Sequence, residues 1–283
     1  MTFEEFKHIV DQFSRLQWIG LTGIGSSLLN RDFFKMLRYL RSKSRAIIIE
    51  LFDTFHMLGG EAAKELIELQ IDHIYASVDG ATKRTYESVR VGAKFEDVID
   101  NIRRFVELKR SMNAYFPELS FHYIIGQHNI NELTQFVELA HSLRVNHIFF
   151  TALLHSFDEI RDLLVSDKKE LEQRIDDARM KGLELGILVD HNLDTQEHRP
   201  PVRRCNAWIQ PFIFSDGTVI ACCAQNESNR RDFQKLHSFG NVFEESFRDI
   251  WFGEKYVRFR RAIRTREVPA VCRDCPVYDA EAS

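Results

Sequence analysis

The sequence predicts an α/β fold: an open or partial barrel of parallel strands followed by a smaller domain rich in cysteine. Three observations carry this. Short β-branched and aromatic runs alternate with stretches of helical spacing from residue 16 to about residue 150. No internal repeat or low-complexity tract interrupts them. All five cysteines lie within the last 79 positions.

Taken in order, the chain opens with a helix over Phe3–Phe13 rather than a strand. Leu16–Thr22, Ala46–Leu51, His73–Val78, Leu119–Ile125 and Val145–Thr151 have strand length and composition, giving five strands, or six if Leu185–Val189 joins them. Between them Phe33, Leu37 and Leu40 share one helical face. So do Phe95, Val98, Ile99, Ile102, Phe105 and Val106, and likewise Leu133, Phe136, Val137 and Ala140. Asn30 and Asn131 are read as helix starts, because a side-chain oxygen can cap free amides of the first turn. Alternation at this spacing is the mark of right-handed βαβ units on a parallel sheet. Residues 155–183 read as one long polar helical segment. The stretch 191–204, with Pro200-Pro201, reads as a linker between domains at 1–190 and 205–283.

Composition narrows the functional classes. The chain of 283 residues is 44% hydrophobic and 28% charged, with 13 Gly and 6 Pro, which excludes a disordered or collagenous protein. Net charge is −4, so the molecule as a whole offers no electrostatic attraction for nucleic acid or an anionic membrane. No apolar run reaches the ~18 residues a spanning helix needs. Thr2-Phe3-Glu4-Glu5 after Met1 is no signal peptide, so a cytoplasmic location is expected. No Ser nucleophile elbow or His-Glu-x-x-His pattern supports a hydrolase.

The cysteines carry the chemistry. They form Cys205-x11-Gly217-x4-Cys222, then Cys272-x2-Cys275, with Cys223 beside Cys222. An odd, clustered set argues for metal or redox chemistry over a disulfide framework. A turn at Ser215-Asp216-Gly217 lets flanking strands Trp208–Phe214 and Thr218–Cys222 present one thiolate each. Cys223 faces the opposite side of that strand from Cys222. Four converging thiolates suit either an iron–sulfur cluster or tetrahedral zinc.

This element, with Trp208, then Ile250-Trp251, Tyr256 and Arg260, then Cys272-Arg273-Asp274-Cys275, resembles the SPASM or twitch domain of radical S-adenosylmethionine (SAM) enzymes. The resemblance implies one auxiliary [4Fe–4S] cluster on Cys205, Cys222, Cys272 and Cys275. It also implies a partial (β/α)6, TIM-like barrel, here lacking its first strand. In Leu21–Asn30, Gly23 and Gly25 match the family's Gly-Gly-Glu-Pro-like turn, with Ser26 standing where the acidic residue usually is. Ser77-Val78-Asp79-Gly80, Thr85–Gly92 with Arg90, and Asn129–Leu133 also resemble family segments. The implied SAM-binding set is therefore Gly23, Gly25, Ser26, Ser77, Asp79, Arg90 and Asn129. Asp53-Thr54-Phe55 departs from the family's Thr-Asn-Gly.

No cysteine precedes Cys205, so the family's Cys-x3-Cys-x2-Cys loop is not among these residues. Two expectations follow: a start clipped downstream of that loop, or an inactive pseudoenzyme that keeps the auxiliary cluster. Activity is accordingly left open. The implied role is radical-based modification of a peptide or small molecule, with an electron-donor protein as partner. A zinc-stabilised binding protein is the alternative. The basic stretch Lys255, Arg258, Arg260, Arg261, Arg264 and Arg266, interleaved with Tyr256 and Phe259, reads as the solvated face of an amphipathic helix rather than a nucleic-acid stripe.

Overall fold

A computed structural model describes residues 1–23, 25–152, 162–191, 210–221, 231–263, 265 and 269. Six parallel strands form one sheet in sequence order: β1 (Trp18–Leu21), β2 (Ile48–Asp53), β3 (His73–Ser77), β4 (Glu118–Ile125), β5 (His147–Ala152) and β6 (Leu188–His191). Each crossover steps one strand in the same direction, which puts the connecting helices on one face. These are α2 (Phe33–Lys43), α3 (Gly60–Glu68), α4 (Lys83–Val89), α5 (Phe95–Ser111), α6 (Leu133–Ser142) and α7 (Lys168–Leu185). The expected barrel architecture stands.

Strand alternation divides the residues between two faces. Ile49, Leu51, Ile74, Ala76, Phe121, Tyr123, Ile148 and Phe150 point toward the helices and are buried against Leu37, Leu40, Leu66, Ile102, Phe105 and Phe136. Each such side chain contributes about 1.5–3 kcal/mol of burial. The opposite parity forms an inner face: Glu50 and Phe52 on β2, His73, Tyr75 and Ser77 on β3, Ser120 and His122 on β4, His147, Phe149 and Thr151 on β5, Asp190 on β6. Register aligns them, pairing Phe52 with Tyr75, Ser77 with His122 and Phe149 with Asp190.

The opening helix α1 (Phe3–Asp11) is present, its first turn closed by a capping box between Thr2 and Glu5. Two expected helix starts move. Asn30 holds the preceding turn, accepting from the Asp32 amide, and α2 begins at Phe33. Asn131 lies in a short 3₁₀ turn, and α6 begins at Leu133. Of the segment expected to be helical over 155–183, residues 155–161 lie outside the described residues; α7 begins at Lys168, where the Asp167 carboxylate caps two amides, and runs into the region read as the start of β6.

The smaller unit has an antiparallel sheet of β7 (Phe212–Ile213), β8 (Thr218–Ile220) and β9 (Gly240–Asn241). The turn falls at Gly217, whose φ of +82° suits glycine. Helices α8 (Arg231–Leu236), α9 (Phe247–Phe252) and α10 (Glu254–Ala262) complete it. Gly253 separates α9 from α10. Val219, Val242, Ile250 and Tyr256 form its core together with Ile9 of α1. Gln12 clamps the units, accepting from the Phe247 amide at 2.6 Å and donating to the Val242 carbonyl at 3.3 Å.

Candidate SAM site at the strand ends

The expected cofactor residues lie at or just beyond the carboxyl ends of strands, where β/α barrels carry their chemistry, except Arg90, which caps the C-terminal end of α4. After β1 the chain passes Gly23 and Gly25. A Cβ built on either would meet nothing within 4 Å, so both border open space, and Gly25 has φ +89°. Ser26 turns inward. It is 7% exposed, and its hydroxyl donates to Asp53 Oδ2 at 2.7 Å and accepts from the Leu28 amide at 3.2 Å. Asp53, at the end of β2, also accepts from the amides of Ser27 (3.2 Å) and Phe55 (2.8 Å). This buried carboxylate ties the loops after β1 and β2 together and holds Phe55 at φ +61°. The two departures noted in the sequence, Ser26 and Asp53, are thus bonded directly to one another.

The loops after β3 and β4 are knitted in a similar way. Asp79 is 2% exposed; Oδ1 accepts from the Ile124 amide at 2.9 Å, and Oδ2 from Arg90 Nε at 2.7 Å and Nη2. Such a paired guanidinium fixes the position of both groups. Asn129, 1% exposed, donates to the carbonyls of Asp79 (3.1 Å) and Ile124 (2.9 Å) and accepts from the Gly126 amide (2.8 Å). Glu132 accepts from the amides of Ala81 (2.7 Å) and Thr82 (3.3 Å) and from Thr82 Oγ1 (2.8 Å). Gly80 permits this crossing, since a Cβ there would stand 2.5 Å from the Tyr86 amide nitrogen.

The structure thus separates two kinds of residue. Ser26, Asp79 and Asn129 have their side chains engaged within the loops. Gly23, Gly25, Ser77 and the outer edge of Arg90 present groups to the mouth. Ser77 is half-buried, with no side-chain hydrogen bond among the described residues. Beside it on β4, His122 Nε2 is bonded to Thr151 Oγ1 at 3.0 Å, and its ring packs edge-on against Phe52. Burial holds this imidazole below its usual pKa, that is, neutral. Sequence reading missed Asp53 and His122 as site residues. An Asp closing β2 two residues before an aromatic was a local signal for the first; only strand register reveals the second.

Cys205, Cys222, Cys223, Cys272 and Cys275 lie outside the described residues, as do the 192–204 stretch, Trp208, Arg264 and Arg266. What adjoins them is described. Ala221, at the end of β8 before Cys222, is buried. Arg260 lies over the rings of Trp251 (4.0 Å) and Tyr256 (4.8 Å), with Nη2 donating to the Trp251 carbonyl at 2.6 Å. It is part of the packing rather than a solvated charge. Its Nη1 is buried without a hydrogen-bond partner among the described residues. A separate cavity of about 530 Å³, lined by Phe6, Val10, Leu16, Phe33 and Met36, runs beside β1 and reaches the loop after it at Thr22, Ser27 and Asn30. No helix among the described residues is long and apolar enough to cross a membrane.

Comparison with known proteins places this geometry. The Radical SAM superfamily profile matches residues 1–140, and the SPASM profile, an iron–sulfur cluster-binding domain, matches residues 205–276. The tungsten-containing aldehyde ferredoxin oxidoreductase cofactor-modifying protein of Pyrococcus furiosus is 24% identical over 299 residues, spanning 99% of this chain and 80% of that protein. Among solved structures, Streptococcus suis SuiB bound to S-adenosylmethionine shares the fold at TM-score 0.72 and 12% identity, covering 98% of this chain and 64% of that one. Native anSMEcpe with bound AdoMet matches at TM-score 0.69 and 14% identity, over 97% of this chain and 78% of that one. This chain therefore spans just under two thirds of SuiB. The fold, its strand-end loops and both profile matches agree: the chain belongs to the radical SAM superfamily and carries a SPASM iron–sulfur cluster-binding domain.

Proposed function

We propose that this protein binds S-adenosylmethionine at the barrel mouth and an auxiliary [4Fe–4S] cluster in its C-terminal domain, and serves the modification of a cofactor or peptide. The observation that carries the reading is the open space beside Gly23 and Gly25 after β1, together with Ser77 at the carboxyl end of β3 in the same sheet, whose hydroxyl has no hydrogen-bond partner among the described residues. Backbone groups beside Gly23 and Gly25 would hold the amino-acid end of the cofactor. Ser77 Oγ and the remaining Arg90 N–H groups would bond its hydroxyls or carboxylate. Ser26, Asp53, Asp79, Asn129 and Glu132 act through position, keeping the four loops from moving apart when the ligand enters. A mouth already hydrogen-bonded in this way loses little order on binding.

Cys205, Cys222, Cys272 and Cys275 would ligate the auxiliary cluster, with Arg260 offsetting its negative charge. When bound, these iron–sulfur groups supply electron transfer, drawn from an electron-donor protein. The 283 residues contain no Cys-x3-Cys-x2-Cys, so by themselves they hold SAM without cleaving it. That same observation favours a second reading, a catalytically inactive pseudoenzyme or a zinc-stabilised binding protein. The Pyrococcus relative's role on a cofactor supports a small-molecule substrate; the peptide complex of SuiB supports a peptide.

Equilibrium binding of S-adenosylmethionine tests the mouth. Ser77→Ala should weaken it roughly fivefold, the worth of about one neutral hydrogen bond, while Lys255→Ala changes nothing. Equal affinity of Ser77→Ala and the native protein, or no binding at all, would refute the site. Adding a strong reductant should release no 5′-deoxyadenosine.

A further inference from the structure

Beneath the strand-end loops the inner face of the sheet is lined by rings. Phe52 on β2 stacks on Tyr75 of β3, with centroids 4.5 Å apart and planes at 11°, and Tyr75 meets Phe149 of β5 at 6.3 Å. His122 of β4 joins them, edge-on to Phe52 at 5.5 Å and beside Phe149 at 6.1 Å. All four are half-buried, and strand parity turns them toward the hollow of the barrel.

Glu50 stands two residues before Phe52, on the same face and about 7 Å farther from the mouth. It lies in register between Gly20 of β1 and His73 of β3. On the β1 side the Trp18 indole covers Gly20: a Cβ built there would stand 2.8 Å from Trp18 Cη2. On the β3 side comes Tyr75, near enough for the Glu50 charge to act on its hydroxyl. Glu50 is half-buried, and its carboxylate makes no hydrogen bond or ion pair among the described residues. A carboxylate so placed takes its hydrogen bonds from water or from a ligand.

Charge on this face has one sign. Its described residues include Glu50, Glu118 and Asp190 and no Lys or Arg. Glu118 and Asp190 are 55% and 56% exposed in their side chains, so water screens them, and Glu50 exerts most of the field. Burial holds His73 and His122 below their usual pKa, so neither supplies a positive charge at neutral pH. Burial, then Glu50, Glu118 and Asp190, pushes the Tyr75 hydroxyl up to about 12, which keeps it a neutral donor.

We propose that the substrate taken into the barrel carries a positive charge, an ammonium or guanidinium on an apolar stem, with Glu50 as its counter-charge and the Trp18 and Tyr75 rings beside it. A cation over an aromatic face is attracted by the ring quadrupole, most strongly for Trp. The stem covers Phe52 and Phe149, which removes apolar surface from water. A phosphorylated cofactor would instead bring negative charge to a face with three carboxylates and no described cation. The charge of the face thus selects a basic peptide side chain over such a cofactor. This rests on the proposed function in placing the substrate inside the barrel.

Three probes of matched stem test it: hexylammonium, hexanol and hexyl phosphate, each titrated into the intact protein. Binding is read by nuclear magnetic resonance from the Tyr75 ring and the Trp18 indole, assigned with Tyr75→Phe and Trp18→Phe. Hexylammonium should bind roughly tenfold more tightly than hexanol, the worth of a charge-assisted hydrogen bond, and hexyl phosphate more weakly than either. Glu50→Gln keeps the shape and should bring hexylammonium down to the hexanol level while hexanol itself is unchanged. Trp18→Leu should cost hexylammonium roughly a further threefold. Hexyl phosphate binding as tightly as hexylammonium overturns the proposal, as does unchanged hexylammonium affinity in Glu50→Gln or the absence of any shift at Tyr75. None of these results needs S-adenosylmethionine, so failure of this site and failure of the mouth are told apart.

Discussion

The barrel and the smaller C-terminal unit solve stability in different ways. The barrel buries a continuous layer between sheet and helices, from Leu37 and Ile49 through Ile74 and Ile102 to Phe136 and Ile148, all at 0% exposure. Among the described residues the smaller unit buries only Val219, Val242, Ile250 and Tyr256 in its own cluster, and its fifth member, Ile9, comes from α1. Its sheet has strands of two and three residues. A core this small is marginal by itself, and small domains of this kind gain stability from metal or from docking. The difference teaches that the barrel core is closed by its own helices, whereas the described core of the smaller unit is completed by Ile9 of α1.

Substitutions can break or sharpen that contrast. The largest effect is expected in the barrel layer: Phe105→Ala, which removes a ring 1% exposed and packed edge-on to Phe55, should cost about 3–5 kcal/mol in urea titration. Asp53→Ala should cost about 2–4 kcal/mol, because the Ser26 hydroxyl and the Ser27 and Phe55 amides lose their acceptor together. It should weaken S-adenosylmethionine binding as well, although Asp53 makes no contact in the mouth.

Smaller changes probe the join. Gln12→Ala removes two hydrogen bonds to the C-terminal unit and should cost about 1–2 kcal/mol. Hydrogen exchange should show the loss in β8 and β9 while the six-stranded sheet keeps its protection; equal loosening of both would deny the asymmetry. The smallest effect is the pH dependence of the barrel. Burial lowers the pKa of His73 and His122 in the folded state from 6.5. The unfolded chain then binds more protons just below that pH, so stability should fall as pH drops through about 6.5 and level off below the folded values. His122→Asn should flatten the dependence.

Much of the fold was legible because each strand is a local run. β1 to β5 fall within about two residues of their expected bounds at most ends, since β-branched and aromatic composition needs no partner to be seen. α3 and α4 went unread: each is short, with only three buried apolar residues in the first and Tyr86 alone in the second, too few for a periodic stripe. Asp167 and Glu170 form a helix-start signal for α7 that the reading of one continuous segment over 155–183 passed over. At the mouth, positions were legible but roles were not. Ser26, Asp79 and Asn129 look like ligand residues in sequence, and only their hydrogen bonds show that they hold loops together. The surroundings of Glu50 were not legible at all, because Trp18, Glu50 and Tyr75 are far apart in the chain and meet only through strand register.

The central claim concerns the inorganic centre, and metal analysis of protein purified without oxygen tests it most directly. Iron and sulfide at about four each per chain, with broad visible absorption, should accompany the native protein and disappear in Cys272→Ala/Cys275→Ala, while the six-stranded barrel stays folded. Zinc in place of iron, or iron retained by the double variant, would contradict the account.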